Sequence, residues 1–381
     1  MPELTWAQVR AWRLRQHHLD RRAGAASLVK VVKDLGGVQA QVLSAAELAL
    51  WNRVAGVRRR SVDDALWKKK SLVKIWAMRG TLHLMPADEL PMWCAAASTK
   101  QLYWHPSWLR YQGVGAPELQ AIMDAVPEAL DGKRLTREQL ADAVSRITKR
   151  AHLAKLLRQG WGSLLKPSAF AGHLCFGPNE GANVTFVRPD QWVPRWKVME
   201  IETALKEVTR RYLRAYGPAK REELAGWWGI RGAQARQMLA GLGDEIEEVQ
   251  VEGWQGWMLR GDPKRAAALP PVESVRLLGN FDPLTLLSAK YAGYDLKPEH
   301  KVQVYRKAGW VSPVLLVDGI IGGVWAVDKS GGTVQVVPFK PPTARVKVAI
   351  AEQAAALGHY LGRDLRVAYV RAITPGVPAT P

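Results

Sequence analysis

The sequence of 381 residues has only two cysteines, Cys94 and Cys175. Two so widely separated thiols cannot make a disulfide framework or a cysteine-rich zinc site, and a reducing cytoplasm is the expected compartment. The Cys-x-x-Cys pair of the zinc deaminases is missing, which excludes that chemistry. Long apolar runs are missing too: no stretch approaches the ~18 consecutive apolar residues of a membrane span. Met1 to Arg15 mixes charged and apolar residues without a continuous apolar core, so no signal peptide is expected. Acidic residues are in deficit, 35 Asp+Glu against 54 Lys+Arg, which leaves +19 and a sequence pI near 10.0. A field of that sign concentrates polyanions and speeds their encounter. Nucleic acid is the default partner, because phosphate neutralisation releases condensed counterions. An anionic membrane surface competes as a partner, but the basic residues are spread along the chain rather than gathered on one amphipathic helix.

Hydrophobic residues make up 48% of the chain, enough for packed cores, and the length suggests two or three units at roughly 150 residues each. Three segments share one rhythm: short helical patterns, then two strand-like runs joined by turn residues. The first has helical patterns at Trp6–Leu19, Ala25–Leu35, Ala45–Val54 and Val62–Lys69. A hairpin pattern follows, Leu72–Met78 and Thr81–Met85 around Arg79-Gly80. Ser44 and Glu47 have capping-box spacing. The second opens a helix with the Thr136/Gln139 capping box, through Ile147, and continues with Leu153–Gln159 and Trp161–Pro167. Its strands are His173–Phe176 and Asn183–Val187, around a loop from Gly177 to Gly181. The third has a helix from Glu200 to Tyr216, others opening at Pro218 and near Gly232–Leu242, and a hairpin pairing Ile246–Val251 with Trp257–Arg260.

Helix, turn, helix and a two-stranded wing is the winged-helix plan. An ordinary α+β protein carries the same pattern without that meaning. After Pro270-Pro271 come short β-rich runs: Val275–Leu278, Val302–Arg306, Val311–Val317, Gly323–Val327 and Thr333–Val337. A helix over Arg345–Leu361, a strand over Leu365–Arg371 and a loose tail from Pro375 close the chain. The expected class is α+β, with units at 1–112, 113–197 and 198–268 and a β-rich domain at 269–381.

The stretch Gly36-Gly37-Val38-Gln39-Ala40-Gln41 lies between two helical patterns. Alternate side chains of an extended link share a face. Each amide offers a carbonyl acceptor and two donors. Two convergent amides can orient one water without carrying charge; glutamines bonding to nearby backbone in a helix connector give the same spacing.

GGVQAQVLSAAELALW (Gly36–Trp51) and WAMRGTLHL (Trp76–Leu84) closely resemble the AlkZ-type winged-helix DNA glycosylases, bacterial relatives of the azinomycin-resistance glycosylase. LLGNFDPL (Leu277–Leu284) and YRKAGWVSPVLLV (Tyr305–Val317) fit the same family, so the resemblance spans nearly the whole chain. It implies tandem winged-helix units in a C shape with a β-rich element, acting as a monomer. It also implies that Gln39 and Gln41, the glutamine–any–glutamine branch of the family motif, activate water at the anomeric carbon of a modified purine nucleotide. The expected partner is double-stranded DNA carrying alkylated purines, in the cytoplasm and on the nucleoid when bound. No metal or organic cofactor is implied. No nucleophilic lysine stands in the motif, so a monofunctional enzyme is expected, one that releases the base without cutting the strand. The rival is a non-catalytic winged-helix DNA-binding protein such as a regulator.

Arg79 and His83 lie in the family-like hairpin and suit a supporting role at the site, or for His83 a packing role. Glu47 is explained by capping or, alternatively, as a general base. Arg58, Arg59, Arg60, Lys68, Lys69 and Lys70 flank a helical pattern, as phosphate contacts or a solvated face. Arg306, Lys307 and Trp310 surround a C-terminal turn that is a candidate DNA-contacting element, with the turn from Asp318-Gly319 to Gly323 as the second choice. The 17 tryptophans are read mainly as packing.

Overall fold

Each expected hairpin is present in the computed structural model, which describes residues 1–160, 162–286 and 295–373. The chain divides into two units. One comprises Met1–Ser61, Arg210–Leu224 and Leu242–Pro381; the other comprises Val62–Thr209 and Ala225–Gly241. The architecture is mixed α and β with small sheets.

In the first unit a five-stranded sheet runs Val275–Leu278, Val314–Val317, Ile320–Val327, Thr333–Pro338, Arg366–Tyr369. The first three pairings are antiparallel and the last is parallel. A parallel pair needs a crossover, and the helix Ala344–Leu361 supplies it. A second sheet joins Glu3–Leu4 in parallel to Ile246–Val251, which pairs antiparallel with Trp254–Leu259. The turn of that hairpin is Glu252-Gly253, both at positive φ (43° and 84°), as a two-residue connection of matching twist requires. The helix Trp6–Gln16 starts in a capping box, with Thr5 N–H donating to Gln8 Oε1 at 2.8 Å. It packs Trp6, Val9 and Trp12 on Val249, Trp254 and Met258, while Leu14 joins the core of the larger sheet.

In the second unit Leu72–Trp76 and Leu82–Pro86 form the first hairpin. Helices Leu90–Ala97 and Pro106–Gln112 follow, then helix Ala116–Ala129, strand Leu135–Thr136, helices Arg137–Thr148, Ala151–Arg158 and Lys166–Phe170, and strands Cys175–Glu180 and Asn183–Val187. The short strand pairs with Asn183–Val187. The capping box expected at Thr136 and Gln139 is present, with Thr136 N–H donating to Gln139 Oε1 at 2.8 Å.

Four local expectations are corrected. Ser44 and Glu47 make no capping box: the helix Leu43–Arg53 is capped at Val42 without a side-chain bond, so both residues lie inside it. Val302–Arg306 is not a strand. Pro298–His300 starts a 3₁₀ turn that continues as the helix Lys301–Val304, because proline at the first position presets a helical φ. The stretch from Gly177 is no loop; it continues the strand to Glu180, with an irregular register between Gly177 and Glu180. The helix expected over Val62–Lys69 is one short turn, Ser61–Asp63, followed by a π-helical turn, Asp64–Lys68. Trp161 and the tail from Pro375 lie outside the described residues. No described helix is long and apolar enough to cross a membrane.

Candidate active site

Gly36 and Gly37 take φ of 66° and 102°, which a residue with a Cβ rarely adopts. They end the helix Leu28–Asp34, with Gly36 N–H on the Lys33 carbonyl and Gly37 N–H on the Val32 carbonyl, and turn the chain into the two-residue strand Val38–Gln39. Gln39 is only 7% exposed, whereas Gln41 lies in the bend before the next helix and is exposed. One amide of the pair is therefore held in the interior and the other meets solvent.

The helix Leu43–Arg53 follows directly. Its C-terminal end is tied to LLGNFDPL. Asn52 Nδ2 donates to the Leu277 carbonyl at 3.0 Å. Arg53 makes two 2.7 Å bonds to the two Asp282 oxygens, and both side chains are wholly buried. Asp282 Oδ1 also accepts from Leu284 N–H at 3.0 Å. Gly279 lets the helix come close, since a Cβ there would stand 2.8 Å from Leu48 Cδ2. The LLGNFDPL motif is legible in the sequence but the Arg53–Asp282 pair is not, because a buried pair separated by more than 200 residues has no local signature.

Glu47 lies on the same helix and is buried. Burial chiefly, and the Glu47 charge next, push the Tyr360 phenol up to about 12. The Tyr360 ring is 5.6 Å from that of Trp51, over which the Arg22 guanidinium sits at 4.5 Å.

The second unit brings Arg79 and His83 together with a residue the sequence did not suggest, Lys100. Arg79 lies at the hairpin tip with φ of 56°, and its Nη1 donates to the Trp227 carbonyl at 3.2 Å. Lys100 Nζ donates to the next carbonyl, Trp228, at 2.5 Å, and lies 3.9 Å above the Trp228 ring. Both cations thus meet carbonyls at the C-terminal end of the helix Arg221–Trp228, where a helix favours positive charge. His83 is 3% exposed, and its Nδ1 is 2.9 Å from the Thr81 carbonyl. A carbonyl only accepts, so Nδ1 carries the proton of the neutral ring. Burial first, then the Arg79 charge, lower the His83 pKa to about 3. His83 is therefore neutral near pH 7 and does not act as a cation toward phosphate.

Burial lowers the Lys100 pKa to about 7, with Arg79 contributing. The unfolded chain then binds one proton more than the folded protein between about pH 7 and 10.5, so this residue's contribution to stability rises with pH in that window. Urea denaturation should show wild type gaining on Lys100→Met by about 1.4 kcal/mol per pH unit from pH 7.5 to 9.5. Parallel pH profiles would refute a buried, titrating ammonium.

The remaining candidates are surface groups. Arg58, Arg59 and Arg60 are exposed in the first unit. In the second unit Lys68 is exposed and pairs with Asp64 at 2.8 Å, Lys69 is exposed, and Lys70 lies 3.8 Å over the Trp192 ring. Arg306 and Lys307 are exposed on a tight turn, closed by Arg306 N–H donating to the Trp310 carbonyl at 2.8 Å, with Ala308 and Gly309 at positive φ. Trp310 packs edge-on against Phe281 at 5.0 Å. Cys94 and Cys175 are free and buried, and burial pushes the Cys94 thiol up to about 12, so neither supplies a thiolate. Among the described residues no group of three or more His, Cys, Asp or Glu side chains can hold a metal ion.

The chain as a whole is that of a DNA glycosylase: the model of the family described as DNA glycosylase AlkZ-like matches residues 32–360, and the chain belongs to that family. It is similar to the interstrand DNA cross-link repair glycosylase of Streptomyces sahachiroi, 38% identical over 358 residues, which cover 92% of this chain and 95% of that protein. In structure it is similar to the Streptomyces sahachiroi DNA glycosylase AlkZ. The TM-score is 0.90 at 36% identity, covering 97% of this chain and 100% of that one.

Proposed function

We propose that the protein hydrolyses the N-glycosidic bond of N7-alkylated purines in double-stranded DNA, including those that join two strands in a crosslink. Gln39 and Gln41 position the water. Alkylation at N7 makes the purine cationic, so it leaves as a neutral base when the C1′–N9 electrons pass to the ring. No strong general acid is then required, whereas an unmodified purine would need one. The site's task is to hold water against C1′ and to stabilise the positive charge developing on the sugar. The water oxygen bonds C1′, its proton passes to solvent, and an abasic sugar remains. The arrangement offers no thiolate, and Lys100 is turned into a backbone carbonyl, so we propose a monofunctional enzyme that leaves the strand intact. Arg58, Arg59, Arg60, Lys68, Lys69, Lys70, Arg306 and Lys307 are proposed as backbone contacts, and the protein as a monomer.

The observation that carries this reading is the Gln39-Ala40-Gln41 pair, one amide buried and one exposed, in a chain of the glycosylase family. We also propose tandem winged-helix units at 1–112, 113–197 and 198–268, with a β-rich domain at 269–381. Helix Ala116–Ala129, strand Leu135–Thr136, helices Arg137–Thr148 and Ala151–Arg158 and, after the helix Lys166–Phe170, the paired strands Cys175–Glu180 and Asn183–Val187 support the unit at 113–197.

The test is base release from a duplex bearing one 7-methylguanine and from an N7-crosslinked duplex. Wild type should release both bases without cutting the strand. Gln39→Ala and Gln41→Ala should each slow single-turnover release by about 10²-fold, the scale for loss of one transition-state hydrogen-bonding group. Unimpaired release by the double variant would overturn the role of the glutamines. Efficient release of normal adenine or guanine would overturn the account of specificity.

A further inference from the structure

A cavity of about 720 Å³ opens in the second unit, and it includes neither glutamine of the motif. That volume lies within the usual span of small-molecule sites, roughly 300–1,000 Å³. Its lining contains Lys100, His105 and Arg231 and no Asp or Glu. Lys100 is the unusual member. It is 5% exposed, uses one of its three N–H groups on the Trp228 carbonyl, and has no acidic partner among the described residues. Taking a cation out of water without a counter-charge is costly, and an arriving anion would offset that cost.

The other groups fit an anion as well. His105 Nδ1 accepts from Ser107 N–H at 3.4 Å and lies 2.7 Å from Ser107 Oγ. With Nδ1 accepting, Nε2 carries a proton and is left as a donor. Arg231 is exposed at the N-cap of the helix Gly232–Ala240, whose first turn has N–H groups without intrahelical partners. Gln234 of that turn also lines the cavity. Trp108, another wall, packs edge-on against Tyr103 at 5.0 Å, and so adds a fixed aromatic surface to the cations.

We propose that this cavity binds a nucleotide, with its phosphate held by Lys100, His105 and Arg231 and its base against Trp108. The ligand is either one nucleotide of a bound DNA strand or a free mononucleotide; the two share the same chemistry. The site lies outside the paired-glutamine chemistry and does not depend on it.

Calorimetric titration of the full chain with 2′-deoxyadenosine 5′-monophosphate, deoxyadenosine and inorganic phosphate tests it. The monophosphate should bind at least about tenfold more tightly than the nucleoside, since tenfold is only 1.4 kcal/mol. Arg231→Glu, on the surface, should remove that advantage without threatening the fold, which Lys100→Met could do by leaving the Trp228 carbonyl unpaired. Trp108→Ala should weaken the mononucleotide and leave inorganic phosphate unchanged. Fluorescence anisotropy with an undamaged duplex separates the sources. If Arg231→Glu lowers the salt slope of DNA binding by about one and the mononucleotide competes with DNA, the ligand is a nucleotide of the strand. If DNA binding is unchanged while mononucleotide binding is lost, the ligand is a free nucleotide. Absence of any phosphate-dependent mononucleotide affinity overturns the proposal. Neither measurement uses a lesion or base release, so failure here is distinct from failure of the glycosylase reading.

Discussion

Asp282→Ala should destabilise the first unit by ~3–5 kcal/mol, the cost of leaving a buried charge without its partner. Arg53 would remain wholly buried, with one bond to the Ala49 carbonyl and both of its carboxylate bonds gone. The 3.0 Å bond from Leu284 N–H to Asp282 would be lost as well. Double substitution with Arg53→Met should cost clearly less than the two single losses added together, because residues in one network are coupled. Urea denaturation of the four proteins measures this. A loss below about 1 kcal/mol for Asp282→Ala would place the pair among weakly contributing ion pairs. If Gln41 positions the water as proposed, the loss extends to base release, because the helix ending in Arg53 begins two residues after Gln41. Single-turnover base release by the folded fraction of Asp282→Asn should therefore fall, even though the Asp282 side chain is wholly buried.

His83 should make the protein acid-labile. Its folded pKa of about 3 lies below the ordinary 6.5, so the unfolded chain takes up a proton that the folded protein refuses. The contribution is whole above pH 6.5 and is lost as pH falls from there toward 3. At one pKa unit per 1.36 kcal/mol the full loss is roughly 5 kcal/mol. Between pH 6.5 and 4.5 about 2.5 kcal/mol of it should already be gone. His17 adds in the same direction: burial, then the Arg53 charge, hold its pKa well below the usual value. The comparison therefore has to be with His83→Asn, whose amide can still donate to the Thr81 carbonyl but does not titrate. Chemical denaturation at pH 7.5, 6.0 and 4.5 should show wild type losing more than the variant by that margin. Equal losses would mean that His83 takes up a proton as readily in the folded protein as in the unfolded chain, and its place as a desolvated member of the hairpin would have to be abandoned.

Much of this protein was decided locally and could be read from the sequence. The +19 charge follows from composition alone. The Thr136–Gln139 cap involves groups three residues apart, and the hairpins at Leu72–Pro86 and Ile246–Leu259 follow from alternation around turn residues. The paired glutamines were visible because two glycines break the helix just ahead of them. Tertiary structure decided the rest. Ser44 and Glu47 have the same spacing as a true cap, but the packing of Leu43–Arg53 put the helix start ahead of both. The amides of Gln39 and Gln41 are equivalent in sequence, and only the fold buries one and exposes the other. His83 is a histidine of ordinary pKa until the fold desolvates it beside Arg79. Lys100 meets the Trp228 carbonyl, and Arg53 meets Asp282, across separations that no repeat or spacing encodes. Caps, turns and periodicity are set by neighbours a few bonds away, whereas burial and long-range charge pairing exist only once distant segments are packed together.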